Sequence, residues 1–262
     1  MLKMRKVAFI TGASRGLGAV TAIELARAGY DLALTARTMN HGEKYLYGLL
    51  DEPASLSGCL NTVVEDARNL GVDAIGIQSD ILDPESVIKA LNTTLQHFGQ
   101  IDFLFNNACY QGHGNQERLL EVTAEQIFNI YQGNVFTPLR LVQEVLPHML
   151  ARKCGCVINM VSGSALMPPP APADEGGWGF AYSSSKAALI RMILSIRVEH
   201  RAANIKAFNI EPGFVVTEIM KASGLDKIIE ERVKPTPPEI TAKAVRWLLE
   251  NEDLSLVDQM EV

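Results

Sequence analysis

The sequence predicts a single α/β domain spanning residues 1–262, built as a doubly wound parallel sheet with helices on both faces. Short β-rich runs alternate with helix-period stretches along the chain, which implies parallel strands joined by crossover helices. The first such run hands over directly to a glycine-bearing turn and a helix. The 262 residues, 47% of them hydrophobic, suffice to bury one large core.

The elements follow in order. Lys6 to Thr11 is a β-rich run, and Ala19 to Ala28 carries Val20, Ile23, Leu25 and Ala26 at helix spacing before Gly29 closes it. Asp31 to Thr35 reads as the second strand, with Asp31 placed to cap the turn after Gly29. The unit repeats as strand Ala74 to Gln78, helix Pro84 to Phe98, strand Ile101 to Phe105, one long helix Ala124 to Ala151, and strand Gly155 to Val161. A helix Tyr182 to Arg201 and a strand Ile205 to Ile210 complete the pattern.

Two irregular stretches interrupt this rhythm. Thr38 to Leu60 reads as an insertion between the second strand and a helix near Thr62 to Leu70, with a functional loop and a surface excursion equally open. The Pro/Gly-rich passage Met167 to Gly179 and the segment 214–234 both follow strand carboxyl ends, where such folds place ligands, and are expected to wall a substrate pocket.

Composition excludes several classes. A formal net charge of −6, with no Lys/Arg cluster longer than the Lys3 to Lys6 stretch, offers no footprint for nucleic acid or anionic lipid. The apolar run Val7 to Ile10 is too short for a signal segment or a membrane span, so a cytoplasmic protein is expected. Cys59, Cys109, Cys154 and Cys156 are too few for a disulfide framework and have no partners at metal spacing. They read as reduced structural thiols, and no metal is expected.

Thr11-Gly12-Ala13-Ser14-Arg15-Gly16-Leu17-Gly18 sits where the first strand meets the first helix. There the glycines can bring backbone N–H groups and the helix N-terminus against a pyrophosphate, as in a Rossmann-type fold. An NAD-selective protein places an acid at the end of the second strand to take the ribose hydroxyls. Here that strand ends Leu34-Thr35-Ala36-Arg37. Arg37 offers a planar, permanently charged fork to a 2′-phosphate, and Arg15 can approach the same group, so NADP(H) is the expected cofactor.

Tyr182-Ser-Ser-Ser-Lys186 places a phenol and an ammonium on one helix face. A fixed ammonium favours the phenolate and would draw the phenol's proton affinity toward neutrality, so that one Tyr could both give and take a proton. Taken alone, the motif reads first as an ordinary amphipathic surface pair, since the spacing occurs by chance in many helices. Asp80 could belong to a helix N-cap region, Asn134 could be a mid-helix polar contact, and Ser162 a turn former beside Gly163 and Ser164.

Taken together and in order, these residues resemble the short-chain dehydrogenase/reductase family over nearly the whole chain. The matches are Thr11 to Gly18, Asp80, Asn106-Asn107-Ala108, Asn134, Ser162, Tyr182 and Lys186, Asn209, and Pro212-Gly213 through Thr217. The resemblance implies an oxidoreductase in which Ser162 polarises a carbonyl, Tyr182 protonates it, Lys186 holds the nicotinamide ribose, and Asn134 positions a water leading to Lys186. It further implies a cofactor held by Gly12, Ser14, Arg15, Gly16, Leu17, Gly18, Arg37, Asp80, Ile81, Asn107, Ala108, Tyr182, Lys186, Pro212, Gly213, Val215 and Thr217. A small carbonyl or alcohol substrate and a homodimer or homotetramer are implied as well. The mixed apolar faces of the helix Ser183 to Val198 agree with a subunit interface.

The chain departs from the family pattern at Cys109, where a glycine is usual, in the long interval from Ser162 to Tyr182, and at Leu254 to Val262, where a glycine-rich final strand would be expected. Leu166, Met167, Trp178, Phe180, Phe214 and Met220 make an apolar pocket plausible. A catalytically silent NADP(H)-binding sensor or scaffold on the same fold is the competing reading, since fold alone does not establish activity.

Overall fold

The computed structural model describes residues 5–230 and 233–251. Six parallel strands, β1 (Val7–Thr11), β2 (Asp31–Ala36), β3 (Ala74–Gln78), β4 (Phe103–Asn106), β5 (Gly155–Met160) and β6 (Ile205–Ile210), form one sheet in the order β3-β2-β1-β4-β5-β6. The strand order reverses between β1 and β4. Leu254 to Val262 lies outside the described residues.

The side-chain alternation of each strand explains the two layers. Ala8, Ile10, Leu32, Leu34, Phe103, Phe105 and Ile158 face one core, shared with α1 (Gly16–Arg27), α2 (Leu60–Asn69) and α9 (Pro238–Glu250). Phe9, Ala33, Leu104, Val157 and Ala207 face the other, under α3 (Pro84–Phe98), α5 (Thr137–Arg152) and α6 (Phe180–Glu199). Each fully buried Phe or Leu contributes about 1.5–3 kcal/mol by leaving water. Helix α9, for which the sequence reading had no element, closes the first core with Val245, Leu248 and Leu249.

The long helix expected from Ala124 to Ala151 is broken. Helix α4 (Ala124–Tyr131) passes through a π-helical turn, Gln132–Phe136, before α5 begins. Pro138 supplies the reason, since it has no N–H to offer the Asn134 carbonyl four residues back. The chain re-registers, and the Thr137 N–H donates to Gln132 O, five residues back. Asp31 also differs from expectation: its carboxylate accepts from Asp73 N at 2.9 Å and so ties the start of β3.

The 38–60 stretch, read from the sequence as an insertion, is a folded excursion. Leu60 N donates to Thr38 O (3.0 Å) and Asn61 N to Met39 O (3.2 Å), which closes its base. Tyr45 and Ala54 pair as a short antiparallel bridge. Tyr47 and Leu56 bury with Ile219 of α7 (Glu218–Ser223), supported by Tyr45, Leu49 and Leu50. Gly48 N donates to Gln111 O at 2.8 Å, and a Cβ on Gly48 would lie 2.3 Å from Gly112 O, so a side chain there is sterically excluded. The insertion therefore bridges from the end of β2 to the segment after β4 and to α7.

Because this small cluster is separate from the two main cores, its loss should loosen the excursion and leave the sheet folded. Truncating a buried aromatic removes about 3–5 kcal/mol of local stability. Tyr47→Ala should speed proteolysis between residues 40 and 58 by roughly tenfold or more, while the thermal midpoint of the body moves by only a few degrees. Cooperative loss of the whole fold at the same protease exposure would show the insertion to be part of the main core instead.

Candidate active site and dinucleotide cleft

The glycine turn packs against the end of β4. Asn107 Nδ2 donates to Thr11 O (2.9 Å) and Gly12 O (3.2 Å), while Thr11 Oγ1 accepts from Asn107 N (3.1 Å) and Ala108 N (3.0 Å). A Cβ on Gly12 would sit 2.9 Å from Ala108 Cα, and one on Gly18 would sit 2.3 Å from Gly12 O. Both glycines are demanded by this approach. Helix α1 starts at Gly16 with no side-chain cap and no acid in its first turn, leaving its N–H groups and dipole for an anion. Ser14, Arg15, Gly16, Val215, Val216 and Lys221 border an open groove of about 520 Å³ beside that turn. Glu218 also reaches it, with Oε2 3.6 Å from where a Cβ on Gly16 would be.

Both arginines read as phosphate partners are engaged by the insertion. Arg15 donates to Ser57 O (2.9 Å), Gly58 O (3.0 Å) and Thr38 Oγ1 (3.2 Å). The Arg37 guanidinium lies 4.8 Å from the Tyr45 ring centroid and 6.0 Å from that of Tyr47, with Asp80 Oδ2 4.0 Å from Nη1. Asp80 also accepts from Leu82 N through Oδ1, while the N-cap of α3 is Asp83. The Ile81 carbonyl accepts from Thr137 Oγ1 at 2.6 Å, which anchors the end of β3 to α5.

Across the cleft, α6 presents Tyr182 and Lys186 on one face. Lys186 is buried, and its Nζ donates to Met160 O at 2.9 Å while lying 5.9 Å from the Tyr182 ring centroid. Ser162, at the end of β5, hydrogen-bonds the Tyr182 phenol and accepts from Ser164 N through Oγ. Asn134 sits in the π turn, buried. Its Oδ1 accepts from Tyr110 N (2.8 Å) and its Nδ2 donates to Ser185 Oγ (3.1 Å). The four residues Asn134, Ser162, Tyr182 and Lys186 thus come together, with Asn134 joined to the helix through Ser185.

The electrostatics correct one expectation. The Tyr182 phenol holds its proton more tightly than a free tyrosine does. Burial is the main cause, the Cys109 thiol and Glu211 add to it, and the hydrogen bond from Ser162 acts the other way. The nearby ammonium does not draw the phenol toward neutrality, because desolvation outweighs it. Cys156 is likewise pushed up to about 12 by burial, as expected of an inert structural thiol.

Sequence reasoning missed three supports. Ser185, read only as a spacer in the Tyr182–Lys186 pentad, is the partner of Asn134. Asn159, read as part of a strand, accepts from Asn106 Nδ2 through Oδ1 (2.9 Å) and donates to Leu189 O (3.1 Å), joining β4 and β5 to α6. A buried amide in an otherwise apolar strand was the available signal. Glu211 accepts from both Gly163 N and Gly213 N. On the nicotinamide side expected from Pro212, Gly213, Val215 and Thr217, the buried Thr217 Oγ1 has no hydrogen-bond partner among the described residues. The Met167–Gly179 passage leans on the 115–118 segment: Gly179 N donates to Asn115 O (2.8 Å), and Arg118 pairs with Asp174 and Glu175 at 2.8 Å each.

Comparison with known proteins finds relatives of the same fold. The 3-oxoacyl-[acyl-carrier-protein] reductase FabG of Staphylococcus aureus is 28% identical over 236 residues, covering 90% of this chain and 85% of the relative. An alcohol dehydrogenase from the archaeon Thermococcus sibiricus, solved with 5-hydroxy-NADP, is 26% identical with a TM-score of 0.70 over 94% of this chain and 91% of that one. An NADH-dependent reductase A1-R' complexed with NAD shares the fold at 22% identity and a TM-score of 0.71, over 94% of this chain and 88% of its own. The family described as short chain dehydrogenase matches residues 6–59 and 54–227, so the chain belongs to that family.

Proposed function

We propose that the chain is an NADP(H)-dependent oxidoreductase that interconverts a carbonyl compound and its alcohol, with Ser162, Tyr182 and Lys186 as the reacting side chains and Asn134 as their buried support. The observation that carries this reading is the half-buried Tyr182 phenol, hydrogen-bonded to Ser162, with the Lys186 ammonium on the same helix face. The Staphylococcus aureus relative is named a reductase and the Thermococcus sibiricus structure an alcohol dehydrogenase, which supports the reaction class.

The residues present fit a nicotinamide dinucleotide. Gly12, Ser14, Gly16, Leu17 and Gly18 would hold the pyrophosphate at the uncapped start of α1. Arg15 and Arg37 would take the 2′-phosphate, Asp80 and Ile81 would flank the adenine, and Asn107 and Ala108 would back the cleft. Pro212, Gly213, Val215 and Thr217 would line the nicotinamide, whose carboxamide would satisfy the partnerless Thr217 hydroxyl. Bound there, the cofactor supplies or accepts the hydride.

The chain's own part is polar. Ser162 polarises the carbonyl oxygen with its hydroxyl, and Tyr182 delivers the proton to the oxygen as charge develops on it. Lys186 would hold the ribose, and its buried charge favours proton loss from Tyr182 as that happens. Asn134 orders Tyr110 and Ser185 behind them. The passage 167–179 and the described part of 214–234, which folds as α7 and α8 (Leu225–Glu230) rather than as an open loop, would form the pocket walls, and a homodimer or homotetramer of cytoplasmic location is the assembly we infer.

Tyr182→Phe should reduce turnover by about 10²–10⁴-fold, the usual contribution of a positioned acid, while NADPH binding by fluorescence titration stays nearly unchanged. Near-wild-type reduction in that variant would remove Tyr182 from the mechanism, and cofactor binding without turnover of any ketone, aldehyde or 3-oxoacyl thioester by the wild type would favour the silent sensor.

The pH dependence follows from the raised proton affinity of Tyr182. A phenol whose affinity lies above its ordinary value stays protonated through neutrality, so the acid needed for reduction is fully present and the base needed for oxidation is scarce. Reduction should be flat from about pH 6 to 8, whereas alcohol oxidation should climb with pH over the same range. A reduction rate that falls as pH rises through neutrality would assign proton donation to another group.

Arg37→Asp should reverse cofactor preference. Losing one charge-assisted hydrogen bond to the phosphate removes at most about 1.5–3 kcal/mol, an upper limit of roughly 10- to 150-fold in NADPH affinity because Arg37 already has partners, while the new carboxylate serves the bare ribose hydroxyls of NADH. A wild type that binds NADH as tightly as NADPH in the same titration would overturn the assignment of Arg37.

A further inference from the structure

Glu211 follows β6 and stands between the two turns that face the reacting groups. Its Oε1 accepts from Gly163 N at 3.3 Å and its Oε2 from Gly213 N at 2.9 Å. The first amide directly follows Ser162, and the second directly follows Pro212. Backbone amides orient the carboxylate without neutralising it, and the residue remains exposed. A Cβ on Gly163 would lie 2.8 Å from Met167 Cε and 3.8 Å from Glu211 Oε1. A thioether and a carboxylate therefore flank the same glycine, one residue from Ser162.

The surroundings sharpen this. Leu166 and Met167 are 77% and 58% exposed, an apolar rim beside the carboxylate. Lys186, the cation of the reacting cluster, spends a hydrogen bond on Met160 O. The acids of the neighbouring passage, Asp174 and Glu175, are paired with Arg118. The field of Glu211 reaches the reaction centre, because it acts on the Tyr182 phenol along with Cys109 and Ser162.

We propose that Glu211 is a charge filter on the substrate approach, so that the chain selects neutral or cationic carbonyl compounds with an apolar body over those carrying a carboxylate or phosphate near the carbonyl. This rests on the carbonyl–alcohol reading above. A carboxylate brought within several ångströms of Glu211 in a partly solvated site meets repulsion equivalent to about tenfold in kcat/KM. An ammonium at the same position gains by a similar factor.

The test uses three aryl methyl ketones of one skeleton, bearing a carboxylate, its methyl ester or an aminomethyl group, with NADPH and the full chain. For the wild type, kcat/KM should rise from carboxylate to ester to ammonium, with about tenfold between the first two. In Glu211→Gln, which keeps size and one acceptor, the carboxylate and ester should converge to within about twofold. Raising salt from about 0.01 to 0.5 M should narrow the gap in the wild type, a readout that needs no variant. An identical ratio in wild type and variant, or a common fall for all three ketones, would reduce Glu211 to a structural staple and overturn the filter alone. A wild type that binds NADPH but reduces none of the three would fail the underlying reading, and the filter with it.

Discussion

The junction of the paired strands β1 and β4 at Thr11, Gly12, Asn107 and Ala108 is the constraint on which the rest depends. There the strand order reverses, and two carboxyl ends diverge to open a crevice. The Asn107 amide donates across the gap to two carbonyls, and the Thr11 hydroxyl oxygen accepts from the backbone N–H groups of Asn107 and Ala108. Such proximity leaves no room for a Cβ at Gly12 or Gly18. From this point a second amide link, Asn106 to Asn159 to Leu189 O, carries the register across β5 into α6. The placement of Tyr182 and Lys186 opposite the glycine turn is thus fixed by buried hydrogen bonds whose loss would leave unsatisfied polar groups in the core.

The alternation of strand and helix was legible because it rests on local periodicity, and all six strands fall within two residues of their expected bounds. The break at Gln132–Phe136 is written in Pro138, a proline one turn beyond a polar residue, but a long apolar pattern around a single proline reads as continuous helix. The clustering of Asn134, Ser162, Tyr182 and Lys186 was legible only through the ordered resemblance, since no spacing rule brings residues from β5, α6 and a π turn together. Contacts of Ser185, Asn159 and Glu211 depend on tertiary approach and left no periodic trace.

The insertion changes how the arginines should be understood. Sequence position alone makes Arg15 and Arg37 free cations awaiting a phosphate. In the fold, Arg15 is held by the carbonyls of Ser57 and Gly58, and Arg37 is stacked on Tyr45 beside Asp80. A phosphate approaching them exchanges one set of partners for another, so its net gain is smaller than a charge-assisted bond formed from bulk water. The same contacts keep the guanidinium planes oriented, which lowers the entropy lost when they bind.

The balance at Tyr182 gives the site its polarity. The Lys186 ammonium, 5.9 Å from the ring centroid, favours the phenolate. Removing a phenolate from water costs more than this, and the Cys109 thiol and Glu211 add to the cost. Lys186 is held toward the Met160 carbonyl, so its charge is shared with a backbone dipole and not concentrated on the phenol. The polypeptide by itself therefore sets Tyr182 as an acid, and any increase in its capacity to act as a base must come from charge brought into the cleft or from a shift of Lys186 toward the phenol oxygen. On the proposed reading, reduction is the direction that a protonated Tyr182 phenol serves.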